Sequence, residues 1–186
     1  MILAAGASSR FGGTKALALF EGKTLLERAL YLARELSGQL VRVVTGGHSE
    51  KIHAELDSKW IVHNANWREG MGTSIAVGVA DVLRLAPDAH LIVILPVDQP
   101  GVRFDHLTSL VRESRRTNSV VLTKGADHIG PPAAVPRNFF SIMLQLEGEQ
   151  GLKSGLKSAE FGTVTNVRAA IDIDQPSDFD FLNSSL

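Results

Sequence analysis

A chain of 186 residues, 44% hydrophobic and 21% charged, is long enough for one domain with a substantial buried core. Its formal net charge of −1 supplies no global field for nucleic acid or an anionic membrane, so any phosphate must be held by a local site. The absence of cysteine excludes disulfides, thiolate zinc sites and a cysteine nucleophile and fits a cytoplasmic setting, while no stretch nears the roughly 20 apolar residues of a membrane span.

The chain opens without the basic and long apolar regions of a signal peptide. Only Met1 and Ile2 precede the Leu-Ala-Ala-Gly run, which leaves open a native start upstream of Met1. Residues 2–4 read as a first strand. Thr24 and Glu27 have the spacing of a capping box and open an amphipathic helix that ends near Gly38. Strands are then expected at 40–45, 60–63, 91–95 and 120–123, with weaker ones at 133–135 and 163–167. The runs Val-Arg-Val-Val and Leu-Ile-Val-Ile-Leu suit strands buried on both faces of a parallel sheet. Helical spacing recurs at 74–85, 105–116 and 137–146, where Phe139, Phe140, Met143 and Leu144 form a stripe expected to face the core. This alternation implies right-handed crossovers and an α/β fold: a three-layer α/β/α sandwich on a doubly wound, mostly parallel sheet, in a single domain over 1–186. If the first strand and the strand at 91–95 flank the point where strand order reverses, loops 5–14 and 96–102 share one crevice.

Loop 5–14 is the most unusual segment. Gly6, Gly12 and Gly13 allow backbone N–H groups to approach a ligand, Arg10 offers a planar fork for phosphate oxygens, and Lys15 adds a point charge. Two better-known phosphate loops do not apply. Gly22-Lys-Thr24 has Leu17 where the first Walker A glycine belongs, and the Gly-x-Gly-x-x-Gly pattern starting at Gly70 breaks at Ile75, which disfavours a dinucleotide-dependent oxidoreductase. No nucleophile elbow or zinc spacing among the six histidines supports a hydrolase.

Asp98, in Leu-Pro-Val-Asp-Gln-Pro after an apolar strand, reads either as a turn former or as a carboxylate for a hard cation such as Mg²⁺. Asn64, Gly72, Thr73 and Ser74 precede a helix, with Thr73 or Ser74 as its expected cap. Asp174 precedes Pro176 and is compatible with plain helix-capping chemistry.

Leu-Ala-Ala-Gly-Ala-Ser-Ser-Arg-Phe-Gly-Gly-Thr-Lys at 3–15 resembles the phosphate loop of the MobA-like NTP transferases, with Phe11 in place of the usual Met. The turn at Asp98 resembles the family's metal-binding Asp-Gln-Pro. Residues 64–74 resemble its base- and ribose-contacting segment, with Ala65 for Pro. Residues 172–178 resemble its Asp-Ile-Asp-Thr-Pro-x-Asp ending, with Gln175 for Thr. The resemblance implies a Rossmann-like nucleotidyltransferase fold and transfer of CMP from CTP to a molybdopterin-type phosphorylated acceptor. Ala5 is the one residue that points to the cytidylyltransferase side. It implies catalysis by Arg10, Lys15 and Asp98, nucleotide binding by Leu3, Ala4, Ala5, Gly6, Arg10, Lys15, Asn64, Gly72, Thr73 and Ser74, and Mg²⁺ on Asp98 and Asp174. It also implies contact with a molybdoenzyme or cofactor-carrier protein. Acceptor-side segments at 130–135 and 146–151 depart from the family: Pro131 stands for His, Glu149 for Asp, and Leu152 for Ala. A GTP- or UTP-using transferase acting on another pterin or a sugar phosphate, and a non-catalytic nucleotide-binding module, therefore stay open.

Overall fold

The computed structural model describes residues 1–156 and 161–184. Its strands are β1 (Ile2–Ala4), β2 (Leu19–Phe20), β3 (Lys23–Thr24), β4 (Val43–Thr45), β5 (Ile61–His63), β6 (Leu91–Pro96), β7 (Val120–Lys124), β8 (Ile129–Pro136) and β9 (Phe161–Thr165). Its α-helices are α1 (Leu25–Ser37), α2 (Ser49–Ala54), α3 (Met71–Leu85), α4 (Phe104–Thr117), α5 (Phe140–Met143), α6 (Leu152–Gly155) and α7 (Asp178–Ser184).

Seven strands form one sheet in the order β5-β4-β1-β6-β8-β7-β9. β8 runs antiparallel to both neighbours, and every other pairing is parallel. From β1 the chain moves outward to β4 and β5, then returns to place β6 on the other side of β1. That reversal is the expected switch point, and it opens a crevice at the carboxyl ends of β1 and β6.

Alternation along β1 sends Ile2 and Ala4 into one core with Leu25, Leu26, Ala29, Leu107 and Leu110, from α1 and α4. Met1 and Ala5 enter the opposite core with Ile75, Val79, Phe140 and Met143, from α3 and α5. Helices thus cover both faces, as the sandwich requires. The capping box is present: Glu27 N–H donates to Thr24 Oγ1 at 3.0 Å, and Thr24 N–H to Glu27 Oε2 at 2.7 Å.

Several elements differ from the sequence expectation. The strand expected at 40–45 starts at Val43, and Trp60 belongs to a 3₁₀ turn before β5. β2 and β3 form an unexpected hairpin whose Glu21-Gly22 turn has both φ angles positive. The helix expected at 137–146 is a 3₁₀ turn followed only by α5. Accordingly Phe140 and Met143 are buried whereas Leu144 is exposed.

Candidate active site

The crevice is drawn together by backbone and amide bonds from distant segments. Val97 N–H donates to Leu3 O at 3.0 Å, which sets the Asp98 turn beside the loop after β1. Ile173 N–H donates to Asp98 O at 2.8 Å, and Gln99 Nε2 donates to Asp172 Oδ1 at 2.8 Å and to Pro131 O at 3.0 Å. These bonds bring the C-terminal acids to the carboxyl edge of β6.

Four sequence-expected residues meet there: Arg10, Lys15, Asp98 and Asp174. Lys15 Nζ lies 2.7 Å from Asp98 Oδ2 and 3.3 Å from Asp174 Oδ1, and its side chain is 13% exposed. Asp174 Oδ2 also pairs with Arg10 Nη1 at 3.0 Å, although the Arg10 side chain is 74% exposed. Asp178, the first residue of α7, reaches back instead: its Oδ2 accepts from Asp174 N–H at 2.7 Å and Gln175 N–H at 2.9 Å. Those two backbone donors, Gln175 first, hold the Asp178 carboxyl below its ordinary pKa. The Asp174 side chain itself pairs with Lys15 and Arg10 in the crevice.

The loop after β1 carries the donors an anion needs. Leu3 is half-buried and Ala4 and Ala5 are buried, whereas Gly6, Ala7, Ser9 and Arg10 are exposed. Among the described residues, the backbone N–H groups of Gly6 through Arg10 donate to no protein acceptor. Such free amides beside two cations make an anion cradle. The enclosed space, lined by Leu3, Gly6, Lys15, Gly47, His48 and Asp98 among others, is about 90 Å³, and the Lys15–Asp98 pair lies on its wall.

A second group sits at the N-terminus of α3. Buried Asn64 donates through Nδ2 to Thr73 Oγ1 and Ser74 Oγ, each at 2.9 Å. Neither hydroxyl is the cap expected: both residues lie inside α3, which starts at Met71, and Thr73 Oγ1 donates to Gly70 O at 2.9 Å. The Gly72 N–H is already used, donating to Gly148 O at 3.0 Å. The two groups join through Gly46 and Gly47. Gly47 N–H donates to Ala5 O at 2.9 Å, and a Cβ on Gly47 would stand 2.8 Å from Gly6 O.

Sequence reasoning missed Gly46, Gly47, His48, Gln99 and Asp172. His48 adopts a left-handed backbone, and its Nε2 lies 2.8 Å from Ala7 O, tying α2 to the loop. The Gly-Gly pair after a strand was a local signal, and Gln99 and Asp172 fell inside the matched 98–100 and 172–178 segments without a role of their own. Asp172 is held above the ordinary carboxylate pKa by burial of its carboxyl and then by the charge of Asp98, with Gln99 opposing. Among the described residues no cluster of three or more His, Cys, Asp or Glu side chains is arranged as a metal site; what converges is a carboxylate pair. No described helix is long and apolar enough to cross a membrane.

An amide-rich loop, two cations and two carboxylates thus meet at the switch point of an α/β sheet, a combination whose chemistry suits phosphate. The family model for the MobA-like NTP transferase domain matches residues 1–164, and the chain belongs to that family of nucleotidyltransferases. The matched span includes Arg10, Lys15 and Asp98 and ends before Asp174. The purine catabolism protein PucB of Bacillus subtilis is 29% identical and matches over 100% of this chain and 96% of its own length. The molybdenum cofactor cytidylyltransferase of Escherichia coli is 24% identical, over 96% of this chain and 92% of its own length. The crystal structure of Rv0371c from Mycobacterium tuberculosis superposes with a TM-score of 0.80 at 24% identity, covering 100% of this chain and 97% of the other. A manganese complex of the same protein gives a TM-score of 0.75 at 22% identity, over the same shares of the two chains. At that identity the structural likeness speaks for the fold.

Proposed function

We propose that this chain transfers CMP from CTP to a small phosphorylated acceptor of the molybdopterin type, releasing pyrophosphate. The observation that carries the reading is the meeting of a free-amide loop and its two cations with the Asp98–Asp174 pair in one crevice. The full-length match to a cytidylyltransferase and the alanine at position 5 support CTP. In the reaction an acceptor phosphate oxygen bonds to the α-phosphorus as the bond to the bridging oxygen breaks, and the electron pair leaves on pyrophosphate. The acceptor oxygen is already anionic, so the protein's task is positioning and charge neutralisation rather than proton removal.

Gly6 through Arg10 would cradle the β- and γ-phosphates with backbone N–H groups, and Arg10 and Lys15 would neutralise the leaving pyrophosphate. Asn64, Thr73 and Ser74 would hold the nucleoside. Asp98 and Asp174 fit a hard divalent cation, because both aim carboxylate oxygens at one cationic nitrogen and oxygen donors suit Mg²⁺ and Mn²⁺. Bound there, the ion would supply Lewis-acid stabilisation of the reacting phosphates. The manganese complex of Rv0371c supports a divalent ion, and Mg²⁺ is our choice. A cytoplasmic setting and contact with a molybdoenzyme or carrier protein belong to the same reading.

A second reading keeps the chemistry and changes the substrates to GTP or UTP and another pterin or a sugar phosphate. It is favoured by the acceptor side, where Pro131, Glu149 and Leu152 depart from the family pattern and where, among the described residues, Glu69, Glu147 and Glu149 line a groove without Lys or Arg. The test is pyrophosphate release with each NTP and Mg²⁺, with and without molybdopterin. Release with CTP and molybdopterin supports the first reading, and release with another NTP on a different acceptor supports the second. Metal-dependent NTP binding without turnover on any acceptor would make the chain a binding module.

A further inference from the structure

We propose that Lys15 is a resident cation that occupies the acid pair until a divalent ion evicts it, so that metal and nucleotide binding are coupled through this one side chain. The inference rests on the reading of the crevice given above and adds an order of events to it. The two acids are held from behind: Asp98 O accepts from Ile173 N–H, and Asp174 N–H is held by Asp178. The Lys15 backbone N–H donates to Ser8 Oγ at 3.3 Å, and the ammonium at the end of its four-carbon stem has the two acids as its partners. Its ammonium sits between oxygens of both acids and is largely shielded from water. Arg10 engages the other oxygen of Asp174 from an exposed position, where solvent screens the pair.

Metal alone must therefore break the Lys15 pairs and leave an ammonium without a partner. Nucleotide alone meets a neutralised lysine, two facing carboxylates and a space of about 90 Å³. When both arrive, the metal takes the carboxylates and Lys15 moves to the phosphates beside the free amides of Gly6 through Arg10. Each ligand removes the penalty the other faces. The coupling is reciprocal, since each must raise the affinity of the other by the same factor.

The test is Mn²⁺ binding by the whole chain without nucleotide, followed through the electron paramagnetic resonance signal of free Mn²⁺. Lys15→Gln should bind Mn²⁺ about tenfold more tightly than the unmodified protein, since it removes one positive charge from beside two acids. Lys15→Met should do the same, and Mn²⁺ should raise the melting temperature of both variants more than that of the unmodified protein. These thermal melts also verify that each variant is folded. Equal Mn²⁺ affinity in unmodified protein and both folded variants overturns the resident-cation role. Binding of Mn²⁺ that persists unchanged in the Asp98→Asn, Asp174→Asn double variant sinks instead the assignment of the acids to the metal, a separate result.

Discussion

The two walls of the crevice are built in opposite ways. The wall formed by the loop after β1 and the turn after β6 is electrostatic: free amides, two cations and two acids within ion-pair distance. The wall at the start of α3 is steric. Gly70 and Gly72 press against residues 147–149 so closely that a Cβ on Gly72 would stand 2.7 Å from Glu147 O, and its exposed rim is acidic. A polar loop can be read for phosphate chemistry because its residue types are the chemistry. A backbone-to-backbone contact sets a shape and is silent about the ligand. The wall of the loop after β1 is therefore explicit in its residue types, and the wall at the start of α3 is a fit set by contour.

Asp98→Asn breaks the first wall at its centre. Catalytic electrostatics of this kind carry about 10³-fold in rate, so kcat for pyrophosphate release should fall by about that factor with the fold intact by circular dichroism. Gly72→Ala strikes the second wall. Overpacking against Glu147 should cost about 1–3 kcal/mol in urea unfolding and raise the KM for both substrates, because Gly72 adjoins Thr73 and Ser74 on the nucleoside side and touches Glu147 on the acceptor side. If both KM values stay unchanged in the folded variant, the wall at the start of α3 takes no part in substrate binding. Gly47→Ala sharpens the comparison, because its Cβ would push on Gly6 O in the phosphate loop. We expect about a tenfold rise in NTP KM with little change for the acceptor.

The smallest effect is expected at Asp172. Its carboxyl has a raised pKa in the folded chain, so the ionised form is tolerated less well there than in the unfolded chain. Stability from this group is full below the unfolded carboxylate pKa of about 4 and is lost as pH rises through the folded value. Asp172→Asn removes that loss while its amide oxygen can still accept from Gln99. The residue keeps contact with water, so thermal melts should show a gain below about 2 °C at pH 7 and none at pH 3.5. A loss at pH 7 would show that the charge of Asp172 supports the fold.

What could be read in advance follows the range of the interactions. The phosphate loop, the Asp98 turn and the Thr24 capping box are local patterns, and residue spacing carried them. β8 read as only 133–135 because two prolines precede it; they sit where the register with β7 shifts, between the pairs Leu122–Ala133 and Thr123–Gly130, so no ladder donor is demanded of them. Gln99 escaped notice because its partners Pro131 and Asp172 lie 32 and 73 residues away. Asp174 was ambiguous for a related reason. An acid before Pro176 can cap a helix, and only the long-range pairs of Asp174 with Lys15 and Arg10 show where its side chain goes. Thr73 and Ser74 were misjudged because α3 starts one turn earlier, on a glycine whose approach to Gly148 no local rule anticipates.

The most direct test of the account is anomalous scattering from Mn²⁺ in crystals grown with CTP. The account predicts one strong peak coordinated by Asp98 and Asp174, the triphosphate on the amides of Gly6 through Arg10, and the Lys15 ammonium turned from the acids to the phosphates. A triphosphate bound away from that loop, or a manganese peak that neither carboxylate touches, would contradict it.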